Sequence, residues 1–135
     1  MQTFLPYPNF RQSFECLDRL RLGNQVWREA KTLLNGGWKH HPASKMWRGY
    51  DDALAFYMLE GLRVLACRGQ RYPHLAEPLR KYNITNPDMP PWLGDEEFHR
   101  SHRSNLLRKD EAWYRQFWWT EPTDLPYVWP KSDRE

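Results

Sequence analysis

The strongest constraint on the fold is a helical repeat of large apolar residues in the middle of the chain. In ASKMWRGYDDALAFYMLEGLRVLACRGQ, residues 43–70, apolar positions recur every three to four residues. This spacing is typical of one buried face of an α-helix. The pattern therefore predicts a central helix that ends near Gly69. Its predicted inward positions are Met46, Tyr50, Leu54, Tyr57 or Met58, Gly61 and Leu65.

Two further helical segments precede the central helix. Asn9 is suited to cap a helix that runs to about Leu20. The sequence RLGNQVWREAKTLLNGG, residues 21–37, has the apolar spacing of another helix and ends in an Asn-Gly-Gly stop. Gly23 marks a kink between the two segments, unless they form one bent helix.

The rest of the chain predicts shorter elements and two extended ends. A short helix over 74–82 precedes a proline-rich loop, NITNPDMPPWLG. A C-terminal helix opens at Asp95, runs to about Arg108, and continues or restarts through DEAWYRQFWW. Proline-rich sequence predicts an extended N-terminal arm and an extended tail. Because no segment alternates with period two, the chain is predicted to be all-α, a compact single domain over 1–135.

Charge and composition restrict the function classes only moderately. The 20 basic and 17 acidic residues leave a net charge of +3, which does not by itself prove a nucleic-acid partner. The basic residues cluster in 11–31, 63–81 and 99–115, and many are arginine, the side chain best suited to phosphate. No apolar run spans a membrane and no secretory signal is visible, so we expect a cytoplasmic protein. Cys16 and Cys67 are expected to be buried free thiols rather than a disulfide.

The stretch EEFHRSHRSNLLRKDEAWYRQFWW, residues 96–119, concentrates arginine, histidine and aromatic residues. On a helical wheel Phe98, His102, Asn105 and Leu106 share one side. The opposite side carries Arg100, Arg103, Ser104 and Arg108, with Leu107 among them. This side is either a solvated basic face or a phosphate-binding face, and the Ser104 hydroxyl between arginines favours phosphate.

A metal site in this stretch is disfavoured. Glu96 and His99 form one Glu-x-x-His pair, whereas carboxylate-bridged bundles need that motif twice and two more glutamates. The two cysteines lack the paired spacing of a zinc site. We therefore expect no metal and no cofactor, and interpret His99 and His102 as hydrogen-bonding residues.

Two segments nearer the N-terminus carry candidate chemistry. Arg21, Gln25, Arg28 and Glu29 occupy adjacent helical turns. They form either a surface ion-pair cluster or a catalytic carboxylate in a basic groove. The segment KHHPASKMWRGY contributes His41, Lys45 and Arg48, which form either an ordinary helix start or an anion-binding one.

Taken in order, these segments resemble the pyrimidine dimer DNA glycosylase family, the endonuclease V-like enzymes. LDRLRLGNQVWREAKTLL is similar to the first long helix of the family, HPASKMWRGYDDALAFYMLEGL to its central helix, and SHRSNLLRKDEAWYRQFWW to its last helix and aromatic segment. The opening MQTFLPYP and the closing DLPYVWP are similar to cellular and phage relatives. The resemblance implies a helical protein that binds double-stranded DNA, displaces a nucleotide and cleaves the N-glycosidic bond of a damaged pyrimidine.

The resemblance also implies roles for individual residues. In this family the α-amine at the N-terminus is the nucleophile and a glutamate assists proton transfer, which correspond here to Met1 and Glu29. Imine formation would permit abasic-site lyase activity. The arginines named above, with Gln25, His41, Lys45 and Ser104, are predicted to contact DNA, and the protein is predicted to act as a monomer.

The sequence departs from the family pattern at two places. Residue 2 is Gln rather than a small residue, so the amine belongs to Met1 or to a residue exposed by unusual processing, or water activated by Glu29 replaces it. The segment before Glu29 aligns only with a one-residue shift, which leaves Gln25 as the alternative position. Two other classes stay open: an inactive helical DNA-binding module and a protein-interaction domain.

Overall fold

The computed structural model describes residues 1–134, and its regular elements are all helical, which confirms the predicted all-α fold. None of the described helices is long and apolar enough to span a membrane. The α-helices are α1 (Phe10–Glu15), α2 (Arg19–Asn24), α3 (Lys31–Leu34), α4 (Pro42–Trp47), α5 (Asp51–Cys67), α6 (Pro73–Ala76), α7 (Glu96–Lys109) and α8 (Glu111–Tyr114). A π-helix (Gln25–Ala30) joins α2 to α3, and 3₁₀ turns follow α6 (Glu77–Lys81) and α8 (Arg115–Phe117).

Side-chain caps define four helix starts, those of α1, α4, α7 and α8. The Asn9 side chain accepts a hydrogen bond from the amide of Gln12 at 2.8 Å, as predicted for the start of α1. Asp95 caps α7 in the same manner. His41 caps α4 because its Nδ1 accepts from the Ala43 amide at 3.0 Å. Each cap satisfies an amide that the first helical turn leaves unpaired.

The predicted central helix is interrupted, and this boundary was wrong. Gly49 adopts φ +81°, a left-handed conformation that separates α4 from α5. The predicted inward positions on both sides of the break are nevertheless buried. Gly61 on α5 is a close-approach position, since a Cβ there would lie 2.5 Å from Val26 and 2.8 Å from Phe14.

The first helical segments also differ from their predicted boundaries. The break lies at 16–18 rather than at Gly23, because α1 ends at Glu15 and Asp18 begins the next helix in an extended conformation. From Arg19 to Leu34 the chain stays helical and passes through the π-helix. The stop at 35–37 is as predicted.

The core is aromatic and centres on α5. The Tyr57 ring is fully buried and lies 4.5 Å from the Phe14 ring and 5.7 Å from the Trp47 ring, measured between centroids. Cys16 is a buried free thiol as expected, whereas Cys67 is free but exposed, so its predicted burial was wrong.

Helix α7 is covered by the extended arm and tail. Its residues from Phe98 to Leu107 are buried except Arg100, although six of these nine buried residues are polar. A helix buried on so much of its circumference must satisfy its polar side chains internally. The partners that do so belong to the two ends of the chain.

Candidate functional site

The N-terminal arm is embedded in the protein. Gln2, Thr3, Phe4 and Leu5 are all buried. The amide of Phe4 donates to Oε1 of Gln25 at 2.8 Å, and the hydroxyl of Tyr57 donates to the Phe4 carbonyl at 2.9 Å. These bonds fix the backbone that leads to Met1.

Two histidines of α7 hold the next residue of the arm. His102 Nδ1 accepts from the Leu5 amide at 2.9 Å. His99 Nε2 accepts from the Gly94 amide at 2.9 Å, so its Nδ1 carries the proton and donates to the Leu5 carbonyl at 2.7 Å. Burial lowers the pKa of His102 to about 3 and also lowers the pKa of His99. Both imidazoles are therefore neutral structural groups at physiological pH.

Arg103 completes this attachment and does not face solvent. Its Nη1 donates to the Pro6 carbonyl at 2.7 Å, and its Nη2 pairs with Glu96 and, at 3.1 Å, with Glu121 of the tail. The side chain is only 10% exposed. The solvent-facing position predicted for Arg103 by the helical wheel was wrong, because the arm and the tail cover that side of α7.

The other members of the predicted phosphate-binding face are also joined to the tail. The buried Ser104 hydroxyl donates to the Pro122 carbonyl and accepts from the Leu125 amide, so its predicted exposure was wrong as well. Arg100 pairs with Glu97 at 3.1 Å and retains partial exposure. Arg108 is exposed and donates to Asn105, so it keeps access to solvent.

A cavity of about 260 Å³ lies where the arm reaches the surface. We call it the N-terminal cavity. Its lining includes Met1, Arg21, Gln25, Glu29, Lys109 and Tyr127. The structure thus brings together both predicted catalytic residues and two of the predicted DNA-binding residues.

The charges of the Met1 amine and of Glu29 both act on His41. Burial lowers the pKa of His41, the positive α-amine of Met1 lowers it further, and the Glu29 carboxylate opposes both. The Glu29 side chain is 13% exposed, whereas that of its neighbour Arg28 is 70% exposed. Glu29 therefore faces inward toward the cavity while Arg28 points to solvent.

Gln25 and Glu29 both lie in the π-helix, but they have different surroundings. A π-helical turn closes i→i+5 bonds and so holds one more residue than an α-helical turn. It lies over Gln25–Ala30, the segment in which the family resemblance needs a one-residue shift. Gln25 is 3% exposed and its Oε1 accepts from both Phe4 and Tyr57. This oxygen is thus committed to the arm, and Glu29 is the carboxylate available at the cavity.

Cations surround the mouth of the N-terminal cavity. Burial, followed by the charges of Arg21 and Arg108, lowers the pKa of Lys109. The same two arginines oppose the effect of burial, which raises the pKa of Tyr127 to about 12. Arg21 also pairs with Asp18 at 3.1 Å. The arrangement is suited to a phosphate at the cavity edge.

Lys109 and Tyr127 are not among the site residues predicted from the sequence. Lys109 ends α7 and Tyr127 lies in the tail, both remote in sequence from Met1. The resemblance of DLPYVWP to relatives was the one signal that pointed toward Tyr127.

The connection before α4 forms another edge of the site. The His41 ring lies 5.6 Å from the Trp129 ring, and the exposed Arg48 donates to the Lys39 carbonyl at 3.0 Å. Lys45 is exposed on α4. Over residues 1–134 the structure gathers no group of three His, Cys, Asp or Glu side chains that could hold a metal.

A protein-family model described as pyrimidine dimer DNA glycosylase matches residues 1–87. That range includes Met1, Gln25 and Glu29 and ends before α7 and the tail, which supply Lys109 and Tyr127. Searches of curated proteins and of solved structures gave no match.

Proposed function

The chain belongs to the pyrimidine dimer DNA glycosylase family, and from this premise we propose that it cleaves the N-glycosidic bond of a damaged pyrimidine in duplex DNA. A cyclobutane pyrimidine dimer is the first candidate lesion. The Met1 α-amine is the proposed nucleophile and Glu29 the proposed proton-transfer group.

One observation carries this proposal: Met1 and Glu29 line the same cavity, at the end of an arm whose backbone is held by buried hydrogen bonds. A nucleophile contributes most when it is already positioned, because ordering it during the reaction costs entropy. An arm held from Phe4 to Pro6 meets that requirement for an amine a few residues away.

The chemistry suits an α-amine. Its ordinary pKa is near 8, so an appreciable neutral fraction exists at physiological pH. Attack on C1′ of the sugar would form a C–N bond as the bond to the base breaks, and the departing base takes a proton from water. The Glu29 carboxylate would accept one proton from the attached amine and pass it to the ring oxygen as the sugar opens to the protonated imine. Loss of the C2′ proton would then release the 3′ phosphate by β-elimination.

We assign the proposed DNA contacts to cationic side chains that are exposed to solvent. Arg21 and Lys109 line the cavity, and Arg108 is exposed next to Lys109 in the chain. Arg28 is highly exposed, and Lys45 and Arg48 are exposed in and after α4. Phosphate contacts by such residues position the duplex without reading its sequence. Arg100 stays a candidate contact at the periphery, whereas Gln25, Arg103 and Ser104 are assigned structural roles.

Borohydride trapping tests the proposal directly. The protein is incubated with ultraviolet-irradiated duplex in EDTA and then reduced with borohydride. We expect a covalent protein–DNA adduct, and mass spectrometry of its peptides should place the DNA on the N-terminal residue. Cleavage without an adduct would leave a glycosylase that uses water activated by Glu29.

A negative result is equally informative. Salt-dependent DNA binding without cleavage of any dimer-containing or modified-base substrate would identify the chain as an inactive binding module on this scaffold. Failure to bind DNA at moderate salt would overturn both readings in favour of a protein-interaction domain.

A further inference from the structure

Trp38 presents a large apolar ring to solvent in an unfavourable backbone conformation. It is 59% exposed and has φ +59°, a left-handed value that residues other than glycine seldom adopt. Such conformations persist only where surrounding contacts impose them, and they concentrate at functional sites.

Hydrogen bonds on both sides hold the loop in this shape. The Gly37 amide donates to the Thr32 carbonyl at 3.0 Å, which ends the preceding helix. The His41 amide donates to the Trp38 carbonyl at 2.9 Å. Arg48 donates to the next carbonyl, that of Lys39, at 3.0 Å. The exposed ring is thus held in place by a defined turn.

The ring lies at the edge of the candidate site. Its centroid is 6.2 Å from that of His41, in an edge-to-face arrangement. The His41 ring lies 5.6 Å from the Trp129 ring, which lies 5.5 Å from the ring of Tyr127 in the lining of the N-terminal cavity. The neighbouring exposed side chains Lys39, Lys45 and Arg48 are cationic, so a polyanion is the complementary ligand for this edge.

We propose that Trp38 is a stacking residue for a nucleobase that leaves the helical stack when the target nucleotide is displaced. Displacement breaks base stacking, and an exposed indole face can replace part of the lost contact. The flanking cations would hold the adjoining phosphates. This inference rests on the proposed glycosylase function.

Trp38→Gly tests the proposal without endangering the fold. Glycine adopts the required φ freely, so relief of backbone strain offsets the added flexibility of the unfolded chain, and we expect a near-unchanged thermal midpoint. The probes are a duplex with one site-specific thymine dimer and the same duplex without it, and every protein carries Glu29→Gln to prevent cleavage. We expect Trp38→Gly to bind the dimer duplex roughly 5- to 100-fold more weakly, as for loss of one stacked base, with unchanged affinity for the intact duplex.

Two further variants define the interpretation. Trp38→Phe keeps an aromatic face and should restore much of the affinity. Trp118→Gly is a matched control, because Trp118 is also exposed and left-handed, at φ +63°, but lies after α8. Equal losses in Trp38→Gly and Trp118→Gly would overturn the assignment.

The outcomes separate this inference from the proposed function. If the protein with Trp38 intact prefers the dimer duplex and Trp38→Gly keeps that preference, only the role of Trp38 is overturned. If the wild-type protein binds neither duplex, the glycosylase proposal fails and the stacking role fails with it.

Discussion

His102 accepts a hydrogen bond from the backbone amide of Leu5 at 2.9 Å, although 97 positions separate the two residues in the chain. The bond requires a neutral imidazole, because a proton on Nδ1 would face another donor. The attachment of the N-terminal arm is therefore coupled to the protonation state of a buried histidine.

Acid should destabilise the protein in a window set by His102. Burial lowers its folded-state pKa from 6.5 to about 3, so between these values the unfolded chain binds a proton that the folded protein excludes. Stability is thus fully present above pH 6.5 and should fall toward pH 3, by up to about 1.4 kcal/mol per pH unit. The lowered pKa of His99 acts in the same direction. Urea denaturation at pH 7.5, 6.5, 5.5 and 4.5 would measure the slope.

A histidine variant isolates this contribution. His102→Gln removes the titrating group and should give a lower stability at pH 7.5 but a shallower decline below 6.5. His40→Gln, at an exposed histidine, should reproduce the wild-type slope. Equal slopes in the wild type and His102→Gln would contradict the prediction.

Arg103→Ala should lower the free energy of unfolding. The change removes the closer partner of the buried Glu121, leaves it only the 3.7 Å contact with Arg100, and removes the bond to Pro6. Breaking a buried ion pair in this way costs roughly 3–5 kcal/mol, which chemical denaturation would detect.

Lys109→Ala is the contrasting variant. Its side chain is exposed at the cavity mouth, so stability should change little, and the slope of log affinity for DNA against log salt should decrease by about 1. A stable Arg103→Ala that loses only DNA affinity would reverse the two assignments.

Glu29→Gln should separate chemistry from binding. The substitution keeps the size of the side chain and removes the group that transfers a proton, so we expect turnover to fall roughly 10²- to 10⁴-fold with DNA affinity retained. Single-turnover cleavage of a dimer-containing duplex gives the rate, and a mobility-shift titration gives the affinity. Glu15→Gln, at an exposed carboxylate of α1, is the control, and wild-type turnover in Glu29→Gln would move the catalytic role elsewhere.

Gln25→Ala should release the N-terminal arm. The Phe4 amide would lose its buried acceptor, at a cost of about 1–3 kcal/mol, whereas the Tyr57 hydroxyl keeps the Phe4 carbonyl as an acceptor. Hydrogen exchange at the Phe4 amide should accelerate, and activity should fall because Met1 is no longer positioned. Gln12→Ala, at an exposed position of α1, should change neither property, and unaltered Phe4 protection in Gln25→Ala would refute this role.

Local sequence was sufficient to predict most of the helices and the family to which the chain belongs. The apolar spacing through α5, the Asn9 and Asp95 caps and the stop after α3 depend on interactions among residues a few positions apart. The same locality explains the boundary errors, since the break at Gly49 requires a left-handed residue that the apolar pattern alone does not reveal.

The surroundings of α7 were decided only by the tertiary structure. A helical wheel shows on which side of a helix each residue lies, and it placed Arg103 and Ser104 on the same side of α7. The wheel does not show which other segments of the chain cover that side. The arm and the tail have no periodicity, so their paths follow from packing and hydrogen bonding across the whole chain. That packing turned the predicted phosphate-binding face into the support of the N-terminal arm. It also placed Lys109 and Tyr127 in the same cavity lining as Met1. These segments are distant in sequence, so a short-range pattern cannot predict that they come together, because burial depends on the complete fold.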